Sequence, residues 1–345
     1  ANINTPTLLY YIVGSMLNSR SAIVLLVIVV LAVGFAGGYL YNTFMNMNKI
    51  STLTTTFVTS VIQIQTLLYT APLSIVTTIV LRDTIKYPII DLDLNGDSVI
   101  DLVAELNPWN LKNYKGIQQM IIDSQGRVFR TEINITNAYP LNRVNGYPEI
   151  YIGRKPWGSR YANGFGVEFP LKISNMSSFI VSFYICVESL DPSVIFNIAA
   201  DAWIVRESIA FKPSTPPSNG DLEIMVWLYR QNLNPAGRKI GEETLPIVIN
   251  GSKVNATFEV WREDSVSWGG WQYIAFAPKG WGVRCGTVAY DPKLFVKASL
   301  KYVTFDITNH YLLDWEIGTE WGTRAGVASF MWIIRDFIIV PCATL

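Results

Sequence analysis

Two carboxylate-bearing stretches, far apart in the chain, could do chemistry together. Asp221–Leu228 alternates with period two, so Glu223, Met225 and Trp227 share one face of a strand and Leu222, Ile224, Val226 and Leu228 the other. Asp314–Gly322 repeats the theme: Glu316, Gly318 and Glu320 share one parity, with Trp315 and Trp321 alongside. An acid set among large apolar groups is costly to bury unless it is paired or used. Two carboxylates facing each other from rigid strands, bordered by indoles on which sugar C–H faces stack, are the minimum apparatus for cleaving a glycosidic bond. The competing reading of the first stretch is a surface strand with Glu223 in water and Trp227 as a rim aromatic.

The elements that must hold these residues are strands. From Leu102 onward, short alternating apolar runs are broken by turn signals at Asn145-Gly146, Asn219-Gly220, Asn250-Gly251 and Gly269-Gly270. Strands at this spacing predict an all-β domain, a sandwich or jelly roll. Pro213–Ser218 falls between the Asp201 and Glu223 strands and reads as a loop, not a domain linker. No internal repeat is visible.

In these segments and others the chain resembles glycoside hydrolase family 12, over roughly residues 85 to 345. Glu223–Trp227 followed by Pro235-Ala236-Gly237, and Trp315–Gly326, are similar to its two catalytic segments. Asn107-Pro108-Trp109-Asn110 resembles a substrate-side strand, and Ala200-Asp201-Ala202-Trp203 the strand whose Asp sits beside the nucleophile. Gly146–Gly153 with Lys155-Pro156-Trp157 resembles the archaeal branch. The resemblance implies a β-jelly-roll of two antiparallel sheets and a retaining endo-β-1,4-glucanase that needs no cofactor. It casts Glu223 as nucleophile, Glu320 as acid/base and Asp201 as the residue orienting Glu223. It places Met225 under the site, and Trp109, Trp157 and Trp227 as groove-lining candidates whose alternative place is the sandwich core. The implied partner is a β-glucan polysaccharide. Glu316, about 13 Å from Glu320 along a strand at ~3.3 Å per residue, is expected outside the catalytic pair.

Composition adds an N-terminal element. The chain has 345 residues, 50% hydrophobic and 13% aromatic but only 16% charged, with zero net charge. The charged fraction is below the ~25% usual for soluble domains, which points to a membrane or assembly segment. Zero net charge points away from nucleic acid. Ala22–Tyr41 runs without a charge, long enough at ~1.5 Å per residue to span a bilayer core as a helix. Tyr39 and Tyr41 suit an interfacial belt. The run is long for a signal peptide and lacks an obvious small-residue cleavage site, so it reads as a retained anchor. Residues 50–81 are apolar and Thr-rich, with helical and strand signals mixed; Ser74–Leu81 reads as a strand. A chargeless stretch of this kind is expected to pack against something, a second copy being the natural candidate. The expected organisation is 1–48, a hydrophobic transmembrane or assembly helix; 49–84, a connecting or oligomerisation segment; and 85–345, the hydrolase domain. A long apolar N-terminal helix before a β-domain is also the layout of a pilin. The alternative function is therefore a structural subunit of an extracellular filament. Either way the expected partners include the membrane or further copies of the chain through residues 1–81, at the outer cell surface.

Three further features carry expectations. Asp91, Asp93, Asn95, Asp97 and Asp101 alternate around Gly96 like half of an EF-hand loop, though Leu102 stands where the bidentate Glu belongs. A structural calcium site and an acidic turn are the two readings. Asn134, Asn175, Asn250 and Asn255 open Asn-x-Ser/Thr acceptor triplets, which favour an outside location. Cys186, Cys285 and Cys342 lack CxxC spacing; buried thiols or one disulfide, Cys285 to Cys342, are the expectations. His310 reads as structural or surface.

Overall fold

The computed structural model describes residues 78–82, 88–123 and 125–342. The apolar run 22–41, the whole 1–48 segment and most of 49–84 lie outside the described residues, so the expected anchor helix has no structural account here. Among the described residues, no helix is long and apolar enough to cross a membrane.

Strands dominate. The chain begins with β1 (Thr78–Arg82), β2 (Ile89–Leu92), β3 (Leu102–Glu105), β4 (Asn113–Asp123), β5 (Val128–Tyr139), β6 (Val144–Gly146) and β7 (Glu149–Gly153). It continues with β8 (Leu171–Lys172), β9 (Phe179–Leu190), β10 (Val194–Val205), the one-turn helix α1 (Glu207–Ala210), β11 (Leu222–Gln231), β12 (Arg238–Ile249) and β13 (Ser252–Glu263). It ends with β14 (Gln272–Pro278), β15 (Cys285–Tyr290), helix α2 (Pro292–Ser299), β16 (Tyr311–Leu312), β17 (Asp314–Gly318), β18 (Trp321–Thr323) and β19 (Ala328–Pro341).

Pairing sorts these into two sheets. One runs β1–β4–β5–β19–β9–β15. The other runs β2–β3–β7–β17–β10–β11–β14–β13–β12. β16 and β18 pair with β10 on either side of β17, and the end of β12 pairs with β15 to join the sheets. β1 precedes position 85, yet its register with β4 makes it part of the first sheet. One pairing departs from the expected antiparallel pattern: β11 and β14 are parallel. A parallel pair needs a long crossover, and the β12–β13 hairpin supplies it.

Side-chain alternation builds the layers. Ile133, Ile135, Phe183, Ile185, Phe330 and Trp332 of the first sheet meet Ile150, Ala200, Ile224, Phe258, Ile274 and Ile317 of the second in one buried core. α2 adds Phe295 and Val296 to it, its first turn capped by Asp291, which accepts the Lys293 N–H at 2.9 Å. The opposite face of the second sheet carries a separate apolar layer that includes Trp203, Met225, Trp227, Trp271 and Tyr273. β10 is buried along its whole length, as a central strand covered on both faces must be.

Several local readings meet their outcome here. Asn250-Gly251 is a two-residue hairpin turn with φ of 50° and 76°, the left-handed pair such turns need. Asn145-Gly146 is not a turn: both residues lie in β6, and Gly146 pairs with Trp321. The disulfide joins Cys186 to Cys285, not Cys285 to Cys342; the two cysteines are direct cross-strand partners on β9 and β15, and Cys342 is free and partly buried. Sequence separation carries no information about such pairing, which register decides. His310 is nearly buried and its Nε2 lies 2.8 Å from the Gly220 carbonyl. The four acceptor asparagines, Asn134, Asn175, Asn250 and Asn255, are all exposed.

The loop read as a calcium site forms an acidic turn bonded to itself. Asp93 accepts the N–H groups of Gly96 and Ser98 at 2.7 and 2.8 Å, Asp97 that of Val99 at 2.8 Å, and Asp101 that of Leu94 at 2.7 Å. Asn95 Oδ1 accepts the Asp97 N–H at 2.9 Å, and Asp91 pairs with Arg160. Among the described residues, no group of three or more His, Cys, Asp or Glu is placed to hold a metal.

Candidate active site

The second sheet presents its chemistry on the face away from the core. β11 places Glu223, Met225 and Trp227 there, as its alternation predicts. β10 adds Asn197, Ala199, Asp201 and Trp203, in register opposite Arg230, Trp227, Met225 and Glu223. On the other flank of β10, Asp201 stands opposite Glu316 and Ala199 opposite Gly318.

Glu223 is 9% exposed and its Oε2 accepts the Trp271 indole N–H at 2.6 Å. Glu320 does not share a strand with Glu316. β17 stops at Gly318, and Thr319-Glu320 form the break before β18. The break swings Glu320 over the start of β10, where Asn197 holds it twice: the Asn197 amide donates to Glu320 Oε2 at 2.6 Å, and Asn197 Oδ1 accepts the Glu320 N–H at 2.7 Å. Burial pushes Glu223 up to about 8, with the Glu320 charge adding to it and the Trp271 hydrogen bond opposing. Burial pushes Glu320 up to about 7, opposed by Asn197. The Glu320 charge makes ionising Glu223 harder, so the two acids do not readily ionise together. Asp201 lies beside them, raised well above the carboxylate range by burial and then by the Glu223 charge.

Beneath Glu223 the floor is soft and apolar. Met225 is buried, its sulfur accepting the Tyr273 hydroxyl at 3.3 Å and the Trp227 indole N–H at 3.5 Å. Trp227, 1% exposed, therefore builds the floor and offers no open ring face. Trp157 is 44% exposed, its ring standing edge-on to Trp203 at 4.7 Å and to Trp271 at 5.8 Å. A ring propped this way is a rigid open platform. Trp109 is 46% exposed beside Asn107, whose amide donates to Glu149 Oε1 at 2.9 Å.

Sequence reasoning missed four participants: Trp271, Asn197, Tyr273 and the ionic cluster around Lys155. Trp271 follows the Gly269-Gly270 turn, and no spacing rule ties it to Glu223. Lys155 Nζ lies 2.5 Å from Glu149 Oε1, 3.6 Å from Glu105 Oε2 and 3.6 Å from Glu316 Oε2. A lone Lys before a Pro gives no hint of that.

An all-β sandwich with two interacting carboxyls, Glu223 buried and Glu320 partly so, and propped indoles on one sheet face is the architecture of a glycoside hydrolase. The model of glycosyl hydrolase family 12 matches residues 100–338, and the chain belongs to that family. Its fold is that of solved family members. The endoglucanase Cel12A from Rhodothermus marinus is 23% identical, with a TM-score of 0.54 over 76% of this chain and 98% of that one. A metagenome-derived family 12 endoglucanase is 24% identical, with a TM-score of 0.55 over 78% and 99% of the two chains. A family 12 xyloglucanase from Bacillus licheniformis is 17% identical, with a TM-score of 0.56 over 74% and 99%. No curated protein matches the chain.

Proposed function

We propose that the chain is a retaining endo-β-1,4-glucanase that cleaves cellulose or a related β-glucan outside the cell. The observation that carries this reading is the pair Glu223 and Glu320, delivered to one face from β11 and from the β17–β18 break. Glu223 attacks the anomeric carbon, forming a C–O ester bond as the glycosidic C–O bond breaks. Glu320 gives its proton to the departing oxygen. It then takes a proton from water, whose oxygen attacks the same carbon and frees Glu223. Such a double displacement calls for carboxyls about 5–5.5 Å apart. Ionised Glu223 needs donors: the Trp271 indole is one, and Asp201, raised by burial, takes the role of orienting it in this reading. The mechanism requires the acid/base proton to start on Glu320. Trp157 and Trp109 supply stacking faces, and Met225 packs beneath the reacting sugar.

The family's solved members include endoglucanases and a xyloglucanase, which supports a β-glucan substrate. The Cys186–Cys285 disulfide and the exposed Asn134, Asn175, Asn250 and Asn255 support an oxidising, external compartment. The chargeless run 22–41 supports attachment to the membrane or to a filament of copies. The test is reducing-sugar release from soluble β-1,4-glucan, mixed-linkage glucan and xyloglucan by the whole chain and by Glu223→Gln. An active wild type and a dead variant support the reading. If neither cleaves while the protein still assembles, the fold serves as a building block of a surface structure instead.

A further inference from the structure

Five adjacent strands put a carboxylate on the same outward face: Glu105 on β3, Glu149 on β7, Glu316 on β17, Asp201 on β10 and Glu223 on β11. Register makes them one row. Glu105 stands opposite Glu149, Glu149 opposite Gly318, Glu316 opposite Asp201, and Asp201 one position diagonal to Glu223. Gly318 gives Glu149 its room, since a Cβ there would lie 2.5 Å from the Pro148 carbonyl and 2.8 Å from Glu149 Cβ. Every member is at most 9% exposed. Neighbouring strands are ~4.8 Å apart, and like charges that close in a dry layer cannot all be ionised. Among the described residues, the row's ion pairs run to one cation, Lys155, whose side chain is 11% exposed.

The bonding pattern shows what the row leans on. Glu149 Oε1 accepts from Lys155 and from Asn107. Its other oxygen, and Glu316 Oε1, are buried without a hydrogen-bond donor, and the Glu316 charge acts on Glu149. Burial raises both Glu149 and Glu316 well above the carboxylate range, and the Lys155 charge opposes that rise in each. Glu316 faces Asp201 across the β17–β10 pair, and Asp201, raised by burial and then by the Glu223 charge, is the next member of the row toward Glu223.

We propose that Lys155 is a positioning residue for the nucleophile: by anchoring the anionic end of this row on β3, β7 and β17, it fixes the proton arrangement in which Asp201 serves Glu223. The inference rests on the hydrolase reading for its role and on the geometry of the row for its existence. Other charged and titratable groups face the same layer. Glu223 also meets Glu320, Tyr273 and Trp271; Asp201 also meets Asp314 and Tyr147. Arg154 is the remaining cation, turned toward the carbonyls of Ile209 and Ala210 with Asp314 nearby.

The test is the pH profile of kcat/KM on a soluble glucan oligosaccharide for wild type, Lys155→Met, Lys155→Arg and Glu105→Gln. Without the cation, ionising the row becomes harder, so the acidic limb moves up by about one pH unit in Lys155→Met. Lys155→Arg keeps the wild-type limb. Glu105→Gln, a milder change that removes one anion, moves the limb down. Limbs that stay put while activity falls evenly at all pH values would show that Lys155 only packs, and overturn the proposal. An inert wild type would sink the hydrolase reading alone. The row is then read without turnover, from the pH dependence of Trp271 emission with Glu223→Gln as blank. A midpoint raised in Lys155→Met and lowered in Glu105→Gln supports the relay; unmoved midpoints refute it.

Discussion

The indole N–H of Trp271 meets Glu223 Oε2 at 2.6 Å. This bond favours the ionised carboxyl against burial and the Glu320 charge, which both disfavour it. Trp271→Phe keeps an aromatic ring, though a smaller one, and deletes the donor. A hydrogen bond to a charged group contributes ~1.5–3 kcal/mol, so kcat/KM falls about tenfold to a hundredfold and its acidic limb moves to higher pH. Rate measurements across pH, with circular dichroism to confirm the fold, check this. An unchanged limb would remove Trp271 from the site's electrostatics.

Gly269 holds that indole in place by lacking a side chain. A Cβ there would lie 1.5 Å from Trp271 Cζ3, a rigid ring atom that cannot yield. Gly269→Ala should therefore displace Trp271 and mimic Trp271→Phe in its pH profile. Thermal stability should change far less than activity, because the 264–271 loop lies outside the inter-sheet core. Parallel melting curves and pH–rate profiles separate the two effects.

Asn197 plays the matching part for Glu320. Its amide bonds the carboxylate and its carbonyl oxygen accepts the Glu320 N–H, so one side chain sets both the charge preference and the loop position. Asn197→Ala removes the donor that favours ionised Glu320. Glu320 then rises further above about 7, and the basic limb of the rate profile moves up. Loss of placement lowers kcat by at least tenfold. A lower kcat with an unshifted basic limb would mean that Asn197 only positions the loop.

Stability should favour acid. Glu149, Asp201, Glu223, Asp314, Glu316 and Glu320 are all raised by burial. A carboxyl whose folded value is raised binds more protons in the folded state, so stability falls as pH rises from the ordinary carboxylate value through the raised one. For Glu223 and Glu320 that window runs from about 4.5 to about 8 and from about 4.5 to about 7. Tm should be highest near pH 4 to 5 and decline steadily toward pH 8. A Tm that climbs between pH 5 and 8 would contradict the buried-acid arrangement.

Reducing the Cys186–Cys285 bond should also lower Tm. The cross-link spans a sequence separation of 99 residues, and bonds closing long loops contribute ~2–4 kcal/mol. Melting with and without reductant, and of Cys285→Ser, measures it. Loss of Cys342, which is free, should leave Tm nearly unchanged.

Much of this protein is written in local pattern. Period-two alternation alone assigns Glu223, Met225 and Trp227 to one face of β11, because successive side chains of a strand point to opposite sides. Turn chemistry alone places the Asn250-Gly251 hairpin, because only such residues tolerate left-handed φ without strain. What local pattern misses is what register and loop breaks decide. Parity put Glu320 in line with Glu316, yet β17 ends at Gly318 and Glu320 meets Asn197 instead. The five-carboxylate row exists because β3, β7, β17, β10 and β11 lie side by side, an order unrelated to their order in the chain. Lys155, Trp271 and the Cys186–Cys285 bond belong to that second kind of information, since each joins groups whose separation along the chain says nothing of their distance in space.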